Sequence, residues 1–219
     1  MPVQLSQPEV ERPPRLMRRD AIRNYHRILG AAREVLGESG ADASMEEIAA
    51  RADVGIGTVY RKFASKDDLI DELLRLALEE LTAAANRALA RTDGHGLDEL
   101  LRALGQSFAD HARYASLLLE RPADPDASQR IRAAISELTV RAAAAGTVRS
   151  DVTVADIMAL IWAMRGLVQA CDQVEHNAWQ RFLVIHLAGL RAPGPLRHCF
   201  RPEEEAKPVR LTEERQLRM

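Results

Sequence analysis

Apolar residues recur at steps of three and four positions along most of this chain, from residue 18 to residue 191. That spacing places them on one face of an α-helix, whereas a half-buried strand alternates at every second residue. The first predicted helix runs from Arg18 to Glu38, with an inward face made of Ile22, Tyr25, Leu29, Ala32 and Leu36. Because no segment shows convincing strand alternation, the pattern predicts an all-α chain of about nine helices.

Three of the predicted helices begin at capping sequences, in which a hydroxyl residue precedes a carboxylate by three positions. The sequences are Ser44-Met45-Glu46-Glu47, Ser65-Lys66-Asp67-Asp68 and Thr153-Val154-Ala155-Asp156. In a capping box the two side chains satisfy backbone N–H groups that the first helical turn leaves free. The helices after the first are predicted over about 45–52, 56–63, 65–91, 97–114, 127–145, 153–173 and 177–191.

Two of these helices are short and joined by a tight turn, Asp53-Val54-Gly55. Val59 and Phe63 are four residues apart on the second helix, so both face the core. Such a helix-turn-helix unit lays its second helix in the major groove of DNA, with the start of that helix nearest the bases. Spacing alone leaves open a plain helix pair inside a bundle.

The residues around this turn favour a DNA-binding unit over a plain helix pair. The stretches Ser44-Met45-Glu46-Glu47-Ile48-Ala49, Val54-Gly55-Ile56-Gly57-Thr58-Val59-Tyr60-Arg61-Lys62-Phe63 and Ser65-Lys66-Asp67-Asp68-Leu69 strongly resemble the DNA-binding domain of TetR-family repressors. The resemblance covers about Arg18 to Leu74. It implies an N-terminal three-helix helix-turn-helix domain followed by a C-terminal helical domain that binds a ligand and dimerises.

We therefore predict four segments. They are a flexible arm at 1–15, the DNA-binding domain at 16–64, a regulatory and dimerisation domain at 65–192, and a mostly disordered tail at 193–219; residues 65–91 form the connecting helix. The resemblance implies a transcriptional repressor that a small-molecule effector releases from a palindromic double-stranded operator. Control by a protein partner, or activation in place of repression, are the alternatives.

The resemblance also implies which residues meet DNA, and their chemistry agrees. Gly57 lets the helix approach DNA closely, and Arg61 can pair bidentately with a guanine edge. Lys62 and Lys66 suit phosphates. The predicted DNA-binding residues are Arg18, Arg19, Ser44, Ile56, Gly57, Thr58, Tyr60, Arg61, Lys62 and Lys66.

Some of these positions depart from the family pattern. Gly55 stands where the family commonly has a serine or threonine cap, and Lys62 replaces a frequent histidine. Ile56 occupies an often polar position, where it touches a thymine methyl or nothing. Ser44 caps its helix or meets a phosphate. These departures leave the operator sequence open.

A homodimer is implied by the resemblance, through the last two helices. A wide apolar band on the first of them and a stripe on the second, including Phe182, Ile185, His186 and Gly189, fit either a dimer interface or an internal core. Candidate ligand-lining residues are Phe108, His111, Tyr114, Leu118, Met158, Trp162 and Arg165. Arg165 lies mid-helix among apolar residues, so it pairs with an acid such as Glu120 or anchors an acidic ligand.

The net charge of −2 does not by itself indicate nucleic-acid binding, but the charges are unevenly distributed along the chain. Residues 12–27 hold six arginines and one acid, and residues 1–66 carry +2 against −4 for the remainder. A basic N-terminal end fits contact with a polyanion, or a solvated helix start. Aromatic residues make up 4% of the chain, and no stacking platform for single-stranded nucleic acid is visible.

The sequence lacks the motifs that are typical of membrane proteins, secreted proteins and enzymes. The longest uncharged run, Phe182 to Leu190, is too short to cross a bilayer, and the N-terminus shows no secretory signal. Six scattered histidines, with no nucleophile–base pair and no phosphate-binding glycine loop, argue against an enzyme. We expect a cytoplasmic protein.

A metal site is also not expected. Cys171 and Cys199 show neither zinc-like nor redox spacing. Cys171, Asp172, Glu175 and His176 lie close in sequence, but no second cluster completes a set of ligands. We expect neither a metal nor another cofactor.

Overall fold

The computed structural model describes residues 14–119, 124–170 and 178–191. Its α-helices are α1 (Pro14–Ser39), α2 (Met45–Arg51), α3 (Ile56–Lys62), α4 (Lys66–Ala90), α5 (Gly96–His111), α6 (Ala115–Leu119), α7 (Pro125–Ala144), α8 (Val154–Ala170) and α9 (Ala178–Arg191). Short 3₁₀ turns span Gly40–Asp42 and Ala112–Tyr114. Within these described ranges no strand occurs, and the predicted all-α fold is confirmed.

The helix boundaries follow the sequence signals closely, with one addition. Gly40 after α1 and Gly146 after α7 both adopt positive φ, at 55° and 71°, as expected of glycines that end helices. The predicted helix toward Tyr114 instead ends at His111, and a 3₁₀ turn leads into the short α6, which the periodicity did not predict. Residues 1–13 of the predicted arm, the predicted tail and residues 171–177 lie outside the described residues, whereas Pro14 and Arg15, the predicted end of the arm, already belong to α1.

Two compact units make up the chain. One comprises Met1–Leu78 with Asp110–Asp124, and the other comprises Glu79–Ala109 with Pro125–Met219. The helix α4 therefore contributes its first half to one unit and its second half to the other. Residues 110–124, which include α6, belong to the same unit as α1, α2 and α3.

The first unit has a continuous apolar core. Its fully buried side chains include Ile28, Leu36, Ile48, Leu69, Leu73 and Tyr114. Burial along α1 starts late, because the core against which it packs begins at the partly buried Tyr25. Ile22, which lies one turn earlier, is 59% exposed, so its predicted inward position is wrong.

The second unit has its own core, formed by the inward faces of α5, α7, α8 and α9. Its buried side chains include Leu97, Leu100, Leu101, Leu138, Ile157, Met164, Trp179, Leu183 and Leu187. Thr153 begins α8 as predicted, since its backbone N–H donates to Asp156 Oδ2 at 2.8 Å. No described helix is long and apolar enough to cross a membrane.

Candidate DNA-binding interface

The helix-turn-helix begins at a complete capping box. The Ser44 hydroxyl accepts a hydrogen bond from the Glu47 backbone N–H at 3.2 Å, and Glu47 Oε2 accepts one from the Ser44 backbone N–H at 2.9 Å. The predicted cap is therefore confirmed. It fixes the first turn of α2, whose inward face of Met45, Ile48 and Ala49 is buried.

The capping box makes α2 sensitive to acid. Bonds from the backbone N–H and hydroxyl of Ser44 lower the pKa of Glu47 from its ordinary 4.5. Because the folded value lies below the unfolded one, the stabilisation is present at neutral pH and is lost as pH falls through the folded value. Glu38, Glu72 and Asp93 also have lowered pKa values, so we expect the wild-type Tm to fall below about pH 4.5.

Glu47→Gln isolates the contribution of the capping box to the fall of the Tm in acid. The variant has no titrating group at this position, so its Tm should drop less than that of wild type between pH 7 and pH 3. Circular dichroism melts at several pH values measure the difference. Glu46→Gln, which changes the neighbouring exposed carboxylate outside the box, should keep the wild-type slope. Equal acid-induced drops in wild type and Glu47→Gln would contradict the assignment.

The helix α3 has one buried face and one exposed face. Val59 is fully buried, and Phe63 directly after the helix is buried as well, as predicted. On the other face Ile56 is 38% exposed and Tyr60 is 47% exposed. The remaining outer positions are Gly57, Arg61 and Lys62, all exposed, whereas Thr58 is half-buried. All the predicted reading residues of α3 except Thr58 are thus exposed to solvent, and two of them, Arg61 and Lys62, are basic.

Glycine at position 57 leaves this surface open. A Cβ atom built on Gly57 meets nothing within 4 Å, and its backbone is helical, so no feature of the fold requires glycine there. At Gly55, the N-cap of α3, no side-chain cap is present, and the Thr58 N–H bonds to the Gly55 carbonyl at 2.8 Å. Glycine is a tolerable cap, in keeping with this departure from the family pattern.

Tyr25 of α1 supports the C-terminal end of α3. Its ring stacks on Phe63 at 6.1 Å between centroids, and the Lys62 ammonium lies 4.8 Å from the centroid of the same ring. The Tyr25 hydroxyl donates to the Glu72 carboxylate on α4. Sequence reasoning missed this cluster, because its members are far apart in the chain and follow no helical spacing.

The protonation of this cluster is fixed around neutral pH. Burial and the hydrogen bond to Glu72 raise the pKa of Tyr25, so its hydroxyl stays a donor. Arg75 donates to Glu72 from Nε at 2.6 Å and from Nη2 at 2.8 Å, which lowers the pKa of that carboxyl. Glu72 therefore remains charged and continues to accept the bond from Tyr25.

Lys66 has partners within the protein. Its ammonium donates to the carbonyl of Ala43 at 3.0 Å and to the carbonyl of Ala41, so it holds the connection between α1 and α2. Ser65 caps α4 as predicted, through a 2.9 Å bond from its N–H to Asp68 Oδ2 and a 3.1 Å bond from the Asp68 N–H to its hydroxyl. The phosphate contact of Lys66 stays a prediction.

The remaining predicted residues are more scattered. Arg19 on α1 is exposed, and the side chain of Arg18 lies outside the described residues. Among the ligand candidates of the first unit, His111 and Tyr114 are buried in edge-to-face contact at 5.7 Å, and Leu118 packs against the core. In the second unit, Phe108, Met158 and Arg165 are half-buried and Trp162 is exposed. Glu120 and the four residues considered for a metal lie outside the described part of the chain.

The predicted stripe on α9 faces an open groove. Phe182, Ile185, His186 and Gly189 line it together with Ala159, Leu160 and Ala163 of α8. Trp179, Leu183 and Leu187 point the other way and are buried. The second unit therefore keeps an apolar surface on α8 and α9 that its own core does not cover.

Comparison with known proteins agrees with this architecture. Residues 28–73 match the family model described as bacterial regulatory proteins of the tetR family, and residues 74–192 match the C-terminal domain of SbtR-like transcriptional regulators. No curated protein sequence matches the chain.

Solved structures extend the likeness over most of the chain. The TetR regulator SCO0520 from Streptomyces coelicolor is 30% identical, over 77% of this chain and 99% of that one, with a TM-score of 0.58. A TetR regulatory protein from Mycobacterium vanbaalenii is 31% identical, over 80% and 99%, with a TM-score of 0.58. PfmR from Thermus thermophilus, at 22% identity over 77% and 96% with a TM-score of 0.59, shares the fold. The helix-turn-helix, the helical second unit and these matches together show that the chain belongs to the TetR family of DNA-binding transcriptional regulators.

Proposed function

We propose that this protein is a repressor that binds a palindromic operator as a homodimer and leaves it when a small molecule binds. The reading element is α3, with Arg61 pairing with a base edge. Ser44, Ile56, Thr58, Tyr60, Lys62 and Lys66 contact phosphates or bases, and Arg18 and Arg19 contact the backbone from α1. As a regulator of genomic DNA, it acts in the bacterial cytoplasm.

One observation carries the assignment of α3. Its inner face is buried through Val59, while its outer face presents Gly57, Tyr60, Arg61 and Lys62 to solvent. This face carries the Tyr60 hydroxyl, two cations and a glycine on which a built Cβ meets no atom within 4 Å. Such a surface can approach a base pair closely and bind phosphates. Arg61 and Lys62 are both exposed, although the Lys62 ammonium also lies 4.8 Å from the centroid of the Tyr25 ring.

The test begins with an operator obtained from the protein itself. Wild-type protein selects its preferred duplex from a pool of randomised DNA, and fluorescence anisotropy then gives the Kd for that duplex and for a scrambled one at several salt concentrations. Arg61→Ala should weaken operator binding by about 1–3 kcal/mol for each contact and relax the preference at one base pair of each half-site. Binding to scrambled DNA should change little by comparison.

Arg51→Ala is the matched control for charge. Arg51 is an exposed arginine on α2, but its guanidinium is bound by Glu34 at 3.0 Å and Glu38 at 2.8 Å. The control variant should retain the wild-type preference for the operator. If Arg61→Ala kept the same base preferences as wild type, α3 would not read DNA through this arginine.

Dimer formation is proposed through α8 and α9. Their shared groove is lined mostly by apolar residues, with Arg149, Asp156 and His186 among them, and Val184 and Ile185 are exposed on α9. Exposed apolar patches of this kind mark interfaces. A four-helix bundle of two copies covers them, and the two-fold axis of the dimer matches the symmetry of a palindromic operator.

Release is proposed to follow the binding of a small molecule to the helices in the middle of the chain. The ligand-binding candidates are Phe108, His111, Tyr114, Leu118, Met158, Trp162 and Arg165. They combine apolar and aromatic surface with a small number of polar groups, as ligand sites do. A transcription assay from a promoter carrying the selected operator tests repression directly. A compound that restores transcription in this assay is identified as the effector.

A further inference from the structure

An arginine from α1 holds the turn between α2 and α3. Arg27 Nη2 donates to the Asp53 carboxylate at 2.6 Å and to the Asp53 backbone carbonyl at 3.1 Å. Asp53 has a φ of +48°, in the left-handed region that few residues other than glycine adopt and that aspartate and asparagine tolerate. One guanidinium thus fixes both the side chain and the backbone of the residue at which the chain reverses.

The direction of α3 depends on this residue. The Asp53 and Val54 N–H groups bond to the carbonyls of Ala50 and Ala49, each at 3.1 Å, and these bonds end α2. The next residue, Gly55, caps α3 without a side-chain hydrogen bond. Among the described residues, the geometry of the turn therefore determines where α3 begins and in which direction it runs. Arg27 connects this turn to α1.

We propose that Arg27 and Asp53 form a positioning clamp that sets the orientation of α3 on DNA, so that operator preference depends on a pair that reads no base. The inference rests on α3 being the reading helix. It also removes Arg27 from the basic N-terminal cluster, because the Asp53 carboxylate neutralises its charge.

A direct phosphate contact by Arg27 predicts different behaviour. A phosphate ligand contributes to the affinity for any duplex and to the salt dependence, at a slope of about 0.9 per contact. A clamp contributes to the ratio of operator affinity to scrambled-DNA affinity. The two roles are therefore separable by measuring both duplexes across salt.

Asp53→Asn distinguishes the two roles. Electrostatics predicts a higher affinity for both duplexes, whereas a weakened clamp predicts a lower ratio of operator affinity to scrambled-DNA affinity. The carboxylate is 91% exposed, and its removal makes the DNA-binding surface more positive, which raises affinity for all DNA. Asparagine tolerates the same positive φ, so the turn remains accessible. Asparagine keeps an acceptor oxygen but loses the charge, so the bond from Arg27 weakens, and the preference for the operator should fall.

The experiment uses full-length protein, the duplex selected by wild type and a scrambled duplex. Asp53→Asn and Arg27→Gln should each reduce the ratio of the two affinities about threefold per half-site, or about tenfold for a dimer. The double variant should lose no more than either single variant, because both changes break the same pair. The salt slope on the operator should stay at the wild-type value for Asp53→Asn.

The controls come from the same helix. Arg23 and Asp20 form a second exposed pair on α1 at 2.8 Å, away from the turn, so Arg23→Gln and Asp20→Asn make the same charge changes and should keep the wild-type ratio. Asp53→Gly removes the carboxylate with a residue free to adopt φ +48° and should repeat the loss seen for Asp53→Asn. Thermal melts confirm that each variant is folded.

The outcomes separate the clamp from the function on which it rests. Asp53 variants with the wild-type ratio would overturn the clamp alone. So would an Arg27→Gln variant that lowers the salt slope while keeping the ratio, since that is the signature of a phosphate ligand. A wild-type protein without any preference for a selected duplex would overturn both the clamp and the proposed reading helix.

Discussion

Gly57→Leu is expected to weaken operator binding about 100-fold, or about 2.7 kcal/mol, without harming the fold. A Cβ atom at this position meets nothing within 4 Å, so the first atom of the new side chain has open space, and Gly57 itself is exposed. Leucine is also a better helix former than glycine, by up to about 1 kcal/mol. We therefore expect the added bulk to meet the DNA, at the start of α3 where a reading helix lies closest to the base edges.

The same anisotropy titration measures this loss, with a thermal melt as a check on stability. Gly30→Leu is the matched control, since Gly30 is also an exposed helical glycine whose built Cβ meets nothing within 4 Å. It should show the same or higher Tm and an unchanged Kd. Operator binding by Gly57→Leu at wild-type strength would mean that the start of α3 does not approach DNA.

Much of the fold could be predicted from the sequence because its signals are local. The capping boxes at Ser44, Ser65 and Thr153 each involve residues three apart, and all three form. The inward positions of α2 and α3 follow from helical spacing over a few turns. A helix boundary or a buried face depends on such short-range patterns, so a single sequence is enough to place it.

The side-chain ties of the candidate site could not be predicted in this way. Tyr25 bonds to a residue 47 positions away, and Arg27 bonds to one 26 positions away. Such pairs depend on how helices pack, and no periodic signal records them. Sequence reasoning groups Arg27 with the basic N-terminal residues for this reason, whereas the structure gives its charge an internal partner.

Ile22 shows the limit of periodicity as well. The residue continues the apolar spacing of α1, yet it is exposed because the packed core stops at Tyr25. Spacing identifies a face of a helix but does not tell where along the helix its neighbours end. For the ligand-binding candidates the sequence offers only residue types, and their role stays a prediction.

Gly105→Ala is expected to destabilise the second unit strongly. A Cβ atom on Gly105 of α5 would lie well under 3.0 Å from two ring carbons of Trp179 and 3.0 Å from the sulfur of Met164. Both neighbours are buried, and an indole ring cannot bend away as a flexible chain end does. Overpacking of this kind costs up to about 3 kcal/mol, which for a chain of this size lowers the Tm by about 10 °C.

A second substitution tests whether the indole is the cause. Trp179→Leu removes the ring carbons and leaves a cavity, which alone should lower the Tm. Combined with Gly105→Ala, the added methyl group has room, so the double variant should be more stable than the sum of the two losses by at least about 1 kcal/mol. Gly30→Ala, at a helical glycine with open space, should not lower the Tm. Independent, additive losses would mean that α5 and α9 do not meet at this glycine, and the close packing that defines the second unit would have to be placed elsewhere.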